Sequence, residues 1–457
     1  MWNNEPLYKV RPAGYLPVVV GLAVGVVFCL PRVRGSIGRL LERPSAPAFL
    51  VSVAALALGL RLAAVFFFPL EPVNDQFFFH RYAVNLLAGK GYGNLAWPSL
   101  LHLSANGGGP KAFYPPGMTL LLTAWYWLTT TAPLSGKLLN TLIGVVQVLL
   151  IYDIARRTTG SLVARWAALL AAVLPTLVIW SASLGYEVVL GTLLCAIIDL
   201  ALLTLSSQKR RWLPVAVLGL LLGFACLVKP IALLIPGMLL VWWLYMGAGW
   251  RAVGHTAAVV VLMALVVAPW TVRNYQVLGK FVLVSSNGGY MLYNANHPGA
   301  TGIHLTAEPL PGEVDEVAMD HLRRRAAFQW MRENPDRVGM LALVKATLTW
   351  GTASTVMSFV SADRLPVWQE SLFMALLNVA WTALLVVCVS ATWTTGVWRQ
   401  RSWYLALLLL AYLFGIHLLA EAETRHHITV LGPILLVAAY GLAHDDRPRP
   451  ASVPAST

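Results

Sequence analysis

The sequence predicts an all-α integral membrane protein, a bundle of about eleven transmembrane helices with two large outer loops. Three observations support this: 58% of the 457 residues are hydrophobic, only 12% are charged, and the mean hydropathy is +0.67. Soluble domains have about 25% charged residues. The net charge of +13 is therefore interpreted as a signal of membrane topology, and nucleic acid is not expected as a partner.

The predicted spans are the apolar segments that reach or approach the roughly 20 residues needed to cross a bilayer. Basic residues gather in the short loops on one side, beginning with the four arginines of 31–46, and this side is predicted to be cytoplasmic. The spans are 14–31, 46–69, 137–155, 162–180, 187–205, 213–229, 230–247, 255–270, 371–390, 402–419 and 428–443.

Two apolar segments are predicted not to cross. If 117–133 were a span, the positive-inside rule would fail for the loops from 156 to 256, so it is predicted to be an interfacial or re-entrant helix in the outer loop. Segment 334–350 is an amphipathic pattern too interrupted by charge to span. The basic helix predicted at 321–334 is expected to rest on anionic headgroups of the membrane lipids.

These assignments divide the chain into five parts and place the two large loops on the outer face. The active face is therefore predicted to be the periplasmic or external side of a bacterial cytoplasmic membrane. The parts are an extra N-terminal transmembrane helix with a basic cytoplasmic loop (1–45), a core module (46–270) that contains the first outer loop (71–136), the second outer loop (271–370), C-terminal transmembrane helices (371–443) and a disordered cytoplasmic tail (444–457).

Asp75 is the most distinctive polar residue of the first outer loop. It lies a few residues beyond an apolar segment, in EPVNDQFFFHRYAVNLL, where a helix is predicted to begin. A carboxylate at a helix start is stabilised by the helix dipole, and nearby aromatic residues partly exclude water from it. Spacing alone leaves two interpretations equally open, a catalytic base or a helix N-cap.

Several motifs resemble the GT-C glycosyltransferases of family 39, the superfamily of the dolichyl-phosphate-mannose protein mannosyltransferases and the lipid A aminoarabinose transferases. An Asp after an early span is followed by a Tyr and a Gly-x-Gly, and then by a Pro-Pro-Gly that opens an apolar helix. The most specific similarity is APWTVRNYQVLGKFVLVSSNGGYMLYNANHPGATG at 268–302. LVKP at 227–230 and ETRHHITVLGPILLVAAYGL at 423–442 extend it, so that it covers most of residues 46–443.

The resemblance implies a GT-C type helical bundle that takes a sugar from a polyprenyl-phosphate donor and transfers it, with inversion, to a glycan, lipid or protein acceptor. The family's catalytic acid corresponds to Asp75, which is therefore predicted to be the base. The leaving phosphate is already a weak base, so a second carboxylate acting as a general acid is not required. No cofactor is predicted, and no compact set of metal ligands is visible in the sequence.

Cations at the outer surface are candidates for binding the donor phosphate. Arg273 is the first choice, because it directly follows a span and a guanidinium can bind phosphate through two bonds. Lys111 is the next, although the aminoarabinose transferases carry their lysine directly before the Pro pair, where this chain has Tyr114. Lys229 and Arg425 complete the cationic candidates, and for Arg273 an interfacial anchor remains the alternative.

Other polar residues are predicted to contact substrate with less direct support. Glu187, at the outer end of the fifth span, either helps to bind an acceptor or a metal or forms a structural salt bridge. Arg61, inside the second span, needs a partner in the membrane, and pairing with Asp75 is the hypothesis. His80 belongs to the same first loop, and the Gly-rich stretch around Asn287 is either a lid over the donor sugar or an ordinary loop.

Two other functional classes also have many membrane spans: transporters or lipid flippases, and periplasmic polysaccharide polymerases. A transporter or flippase would use intramembrane charges such as Arg61 and Asp199, but it would also show inverted repeats with broken helices, which the sequence does not show. A periplasmic polysaccharide polymerase would carry catalytic arginines in its outer loops rather than an acid directly after an early span. The sequence does not specify the sugar or the acceptor.

Overall fold

A computed structural model describes residues 16–68, 70–93, 95, 110–206, 212–302, 307–351 and 367–444, and over these residues all regular secondary structure is helical. Short 3₁₀ helices lie at Pro230–Leu234, Val397–Arg399, Arg401–Trp403 and Thr424–Val430. The predicted disordered tail falls almost entirely outside the described residues. The α-helices are α1 (Leu16–Cys29), α2 (Pro31–Glu42), α3 (Ala46–Phe67), α4 (Asp75–Leu87), α5 (Gly117–Leu128), α6 (Pro133–Thr158), α7 (Ser161–Val173), α8 (Pro175–Trp180), α9 (Glu187–Ser206), α10 (Trp212–Val228), α11 (Ile235–Tyr245), α12 (Trp250–Leu278), α13 (Gly288–Ala295), α14 (Glu316–Glu333), α15 (Pro335–Trp350), α16 (Val367–Thr395), α17 (Tyr404–Leu419) and α18 (Leu431–Ala443).

The all-α membrane fold is confirmed, and every predicted span coincides with one helix or with two consecutive helices. Among the described residues, seven helices are long and apolar enough to cross a membrane, or eight if α1 and α2, which meet at 69°, form one bent span. The predicted number of eleven is not confirmed. Prolines account for part of the difference, because Pro175 divides the predicted span 162–180 into two shorter helices, and the predicted span 230–247 begins at Pro230 with a short 3₁₀ helix.

The centre of the bundle is formed by α6, α9 and α18, which have the most buried side chains of the candidate spans. The N-terminal helix α1 packs along α16, and Gly21 and Gly25 allow the close approach. A Cβ atom on Gly21 would lie 2.8 Å from the carbonyl oxygen of Val379, and one on Gly25 would lie 2.7 Å from Cβ of Val386. A Gly-x-x-x-Gly spacing is typical of such tight helix pairs in membranes. The extra N-terminal helix is therefore packed onto the C-terminal helices.

Arg61 is fully buried in the bundle and binds backbone carbonyl groups. Its guanidinium donates to the carbonyl oxygens of Ala171 at 3.1 Å and Ala172 at 3.2 Å, at the C-terminal end of α7. Pro175 has no amide hydrogen for the Ala171 carbonyl, so the arginine supplies a donor that the broken helix lacks. The structure thus gives Arg61 different partners from Asp75, the partner hypothesised from sequence.

Asp199, the other charged residue predicted inside a span, pairs with Arg157. The Nε atom of Arg157 lies 3.0 Å from a carboxylate oxygen of Asp199, and the same guanidinium binds Asp153 at 2.5 Å. Asp153 and Arg157 are in the last turns of α6, so this charged group lies at the end of the bundle opposite to the start of α9.

The first outer loop contributes two helices, α4 and α5. The predicted interfacial helix at 117–133 is present as α5, which has 12 residues and a length of about 18 Å, too short to cross a bilayer core of about 30 Å. Its start is packed against the break after α10. A Cβ atom on Gly117 would lie 2.5 Å from the amide nitrogen of Val228, so the glycine of the Pro-Pro-Gly motif is required by this close approach.

The predicted second outer loop contains α13, α14 and α15, which corrects the expectation for the stretch around Asn287 and gives the contacts of one arginine in the predicted basic helix. The stretch around Asn287, for which no helix was predicted, leads directly into α13. The basic helix predicted at 321–334 begins earlier and points Arg323 inward, where it lies 2.6 Å from Glu313 and 5.0 Å from the centre of the Tyr290 ring. Arg323 therefore joins α13 to α14 rather than contacting lipid headgroups.

Candidate active site

Asp75 is the first residue of α4, and its carboxylate does not cap this helix. The N-cap is Asn74, which has a positive φ of 50° and forms no side-chain capping bond. A positive φ is uncommon for residues other than glycine, and strained backbone is concentrated at functional sites. The Asp75 carboxylate is turned toward Tyr114 and Arg425 instead, and this orientation favours the catalytic interpretation over the capping one.

Tyr114 binds one oxygen of this carboxylate. Its hydroxyl donates to Oδ1 of Asp75 at 3.0 Å, and its ring is surrounded by Phe78, Phe79 and Phe113, with centres 5.2–5.5 Å away. Burial raises the pKa of Tyr114 well above its ordinary value, and the charge of Asp75 raises it further. The phenol therefore remains a hydrogen-bond donor at neutral pH, and it holds Asp75 in one orientation.

Arg425 binds the other carboxylate oxygen and joins three acids. Its Nη1 atom lies 3.1 Å from Oδ2 of Asp75 and 3.6 Å from Oε1 of Glu187, and its Nε atom contacts Glu423. Glu187 is the first residue of α9 and is only 1% exposed, and among the described residues its oxygens accept no hydrogen bond. One guanidinium thus contacts carboxylates from three distant parts of the sequence.

Lys229 is the second cation of this cluster and lies at the break between α10 and the following 3₁₀ helix. Its ammonium group contacts the hydroxyl of Tyr186 and lies 4.5 Å from the centre of that ring. It is also close enough to interact electrostatically with Glu187 and Arg425. Two cations and at least three acids therefore gather where the ends of several helices meet the outer loops.

Arg273, the first choice for a phosphate ligand, is engaged with the backbone of the first outer loop. Its guanidinium donates to the carbonyl oxygens of Lys111 at 2.7 Å and Tyr92 at 3.1 Å, and it stacks on Trp270 with a distance of 4.6 Å to the ring centre. Lys111 itself is fixed through its backbone. These contacts make Arg273 a brace for the first loop, and its role in binding phosphate stays a prediction.

His80 and Asn287 have local partners. The Nδ1 atom of His80 lies 3.0 Å from the hydroxyl of Tyr126, and the amide oxygen of Asn287 accepts from Ser285 at 2.9 Å. The hydrogen bonds of the described residues do not join either side chain to Asp75. Of the ten residues proposed from sequence, the structure brings together Asp75, Tyr114, Glu187, Lys229 and Arg425.

Two residues of the cluster were missed by the sequence analysis. Glu423 contacts Arg425 from two positions earlier in the chain, and Tyr186, next to Glu187, contacts Lys229. Each lies within two positions of a residue that the sequence predicts to contact substrate, and this closeness in sequence is the signal that could have identified them. Within the described part of the chain, no group of three or more His, Cys, Asp or Glu side chains is arranged to hold a metal ion.

The fold and site define a multi-pass helical membrane protein in which an acid and two cations meet at one end of the bundle. Residues 114–272 match the family described as dolichyl-phosphate-mannose-protein mannosyltransferase. This segment includes Tyr114, Glu187 and Lys229. A search among curated proteins finds no match by sequence.

Solved structures share the fold. The oligosaccharyltransferase of Archaeoglobus fulgidus in its apo form has a TM-score of 0.51 and 13% identity over 87% of this chain and 50% of that one. The same enzyme tethered to an acceptor peptide with an NVT sequon gives a TM-score of 0.50 and 13% identity over 86% and 49%. This chain thus spans about half the length of the archaeal enzyme. ArnT from Cupriavidus metallidurans bound to undecaprenyl phosphate is less similar, with a TM-score of 0.44 and 16% identity over 88% and 78%.

The family match and the shared fold confirm the resemblance inferred from sequence. Residues 114–272 are thus similar to the dolichyl-phosphate-mannose-protein mannosyltransferases, and the chain shares its fold with the archaeal oligosaccharyltransferase.

Proposed function

We propose that the chain transfers a sugar from a polyprenyl-phosphate carrier, of the undecaprenyl-phosphate type, to an acceptor on the periplasmic or external face of a bacterial cytoplasmic membrane. The observation that carries this proposal is the 3.1 Å contact of Asp75 with Arg425, beside Glu187 and Lys229. It combines a base with phosphate-binding cations in one site. The matched family is named for a dolichyl-phosphate-linked sugar, a donor of the same chemical class.

In the proposed reaction Asp75 is the base. It removes the proton from an acceptor hydroxyl as the acceptor oxygen attacks the anomeric carbon from the face opposite the phosphate. The bond from that carbon to the phosphate oxygen breaks, and its electron pair leaves with the phosphate, so the configuration at the anomeric carbon is inverted. Because the departing phosphate is a weak base, no general acid is needed.

Arg425 and Lys229 receive the negative charge that develops on the phosphate. A guanidinium matches the geometry of phosphate oxygens and can bind two of them, and a buried ammonium adds a second positive charge. Arg425 is shared among carboxylates in the structure, so donor phosphate competes with Asp75 for it. Binding of the donor therefore frees Asp75 for the acceptor proton.

The test is transfer by purified protein in lipid nanodiscs. Undecaprenyl-phosphate sugars with a labelled hexose, pentose or aminopentose are supplied with bacterial envelope lipid and glycan fractions, and release of undecaprenyl phosphate is measured together with transfer of label. Asp75→Asn should lose transfer. Asp153→Asn is the matched control and should retain transfer, because Asp153 lies near the C-terminal end of α6, away from the site, and is bound to Arg157. Equal transfer by Asp75→Asn and the wild type would refute the role of Asp75, and the absence of release from every donor would refute the function.

A further inference from the structure

A carboxylate from the second outer loop holds the backbone of the first. The Oε2 atom of Glu316 accepts the amide hydrogen of Lys111 at 2.8 Å, and Oε1 accepts that of Ala112 at 2.9 Å. Glu316 is the first residue of α14 and is only 5% exposed. The adjacent Asp315 caps the helix, accepting from the amides of the next turn, so the Glu316 side chain is not needed as a cap and crosses to the other loop.

The same two residues are also held from their other side by the second loop and by the end of α12. The carbonyl oxygen of Lys111 accepts from Arg273 at 2.7 Å, and the carbonyl oxygen of Ala112 accepts from the amide of Ser286 at 2.9 Å. Both amides and both carbonyls of positions 111 and 112 are therefore satisfied by residues after 270. Bonds in which one partner is ionised are the stronger kind, and Glu316 and Arg273 supply them.

This brace lies two residues before the side chain that orients the base. The chain runs from Ala112 through one buried phenylalanine to Tyr114, whose carbonyl oxygen accepts from the hydroxyl of Tyr92 at 2.9 Å and whose own hydroxyl binds Asp75 at 3.0 Å. Because only one residue separates the braced backbone from Tyr114, a shift of the backbone at Ala112 displaces the Tyr114 hydroxyl.

We infer that Glu316 is a positioning residue for sugar transfer, which sets the contact between Tyr114 and Asp75 by fixing the backbone at Lys111 and Ala112. The inference rests on the proposed function given above. Its consequence is that the second outer loop must be folded against the first before the base is aligned. Glu316 touches neither the base nor a substrate, so it acts on the reaction only through Tyr114.

The experiment is a double-mutant cycle of Glu316→Ala and Tyr114→Phe in nanodiscs, with kcat and the donor KM measured separately. Misplacement of a catalytic group by about 1 Å can cost about 100-fold in rate, so we expect Glu316→Ala to lower kcat by about 10- to 100-fold with little change in KM. In the Tyr114→Phe background the same substitution should cost less than about threefold, because the connection is already cut. Glu316→Asp keeps the carboxylate and should restore part of kcat.

Asp315→Ala is the matched control, since it removes the cap of the same helix without touching the first loop. Its effect should be small and additive with Tyr114→Phe. An additive effect of Glu316→Ala, or an unchanged kcat, overturns the inference.

Hydrogen exchange provides a readout that does not depend on activity. The amides of Lys111 and Ala112 should exchange slowly in the wild type and in Asp315→Ala, and faster in Glu316→Ala. Unchanged protection in Glu316→Ala overturns the brace itself, even if the wild type is active. If the wild type transfers no sugar while these two amides lose protection as expected, the proposed function fails, and the catalytic part of the inference fails with it.

Discussion

Replacing Arg425 with Gln should destabilise the protein and abolish transfer. The two effects have different causes, the loss of an ion pair and the loss of a phosphate ligand, and a second substitution separates them. One guanidinium lies 3.1 Å from Asp75 and 3.6 Å from Glu187 and also contacts Glu423, and these acids are 21%, 1% and 17% exposed. Removing one partner of a buried ion pair costs about 3–5 kcal/mol, because the remaining charge is left uncompensated. Glu187 is by far the most buried of the three, so most of the cost should come from it.

The free energy of unfolding in mixed micelles, measured by titration with SDS, should therefore fall by about 3–5 kcal/mol in Arg425→Gln. Adding Glu187→Gln removes the buried charge and should restore part of that loss, whereas transfer should remain absent because the phosphate ligand is still missing. Lys280→Gln is the matched control: it also removes the cation of a carboxylate, but Lys280 is 48% and its partner Asp315 42% exposed, so the cost should be about 0–1 kcal/mol. The reasoning would be refuted if the free energy of unfolding of Arg425→Gln were within about 1 kcal/mol of the wild-type value. It would also be refuted if the variant that carries both Arg425→Gln and Glu187→Gln were no more stable than Arg425→Gln alone.

Three further predictions follow from the loops. Tyr114→Phe removes the bond to Asp75 and should lower kcat by about 10- to 100-fold in the transfer assay while the fold is retained, since a hydrogen bond to a charged group contributes about 1.5–3 kcal/mol. Gly117→Ala should lower the thermal midpoint because its Cβ would lie 2.5 Å from the backbone at the end of α10, whereas Gly59→Ala, with no atom within 4 Å, should not. Lys345 of α15, outside the seven candidate spans, is buried, and this lowers its pKa from 10.5 to about 8. Its charged form is therefore unfavourable in the folded state below pH 8, and the cost is relieved as the pH rises toward 10.5. The stability of the wild type relative to Lys345→Met should increase over this pH range in thermal unfolding, and a constant difference would contradict the assignment.

The sequence predicted where the helices lie better than it predicted how many of them cross the membrane. Apolar length located every predicted span, because in a bilayer the backbone must satisfy its own hydrogen bonds and long apolar segments form helices. The count of eleven relied on continuous crossing, and the break at Pro175 depends on a neighbour that supplies the missing donor. That neighbour is Arg61, which is 111 residues from its bonding partner Ala172 in the sequence. A local pattern does not contain this information.

The site was predictable to the extent that its residues stand at helix ends. Asp75, Glu187 and Lys229 each lie at the boundary of an apolar segment, where a polar residue is conspicuous. Their partners were not predictable, because the Asp75–Arg425 contact spans 350 positions, and the preference for Arg273 over Arg425 rested on the distance from a span alone. The structure shows that Arg273 bonds to backbone carbonyl groups, a choice set by how the two outer loops fold together.

Two ion pairs near the outer loops differ in a way that bears on their roles. Arg323 and Glu313 lie 2.6 Å apart, each is 1% exposed, and together they tie α14 to the segment that precedes it. Asp75 and Arg425 lie 3.1 Å apart, Asp75 is 21% exposed, and Arg425 is shared with other acids. Breaking the first pair would leave two fully desolvated charges, whereas Asp75 is partly open to an incoming hydroxyl and Arg425 keeps other partners when it turns to a phosphate. A structural ion pair must keep its partners, whereas a catalytic base must be able to leave its partner and accept a proton. The greater exposure of Asp75 is therefore what the proposed chemistry requires of this acid.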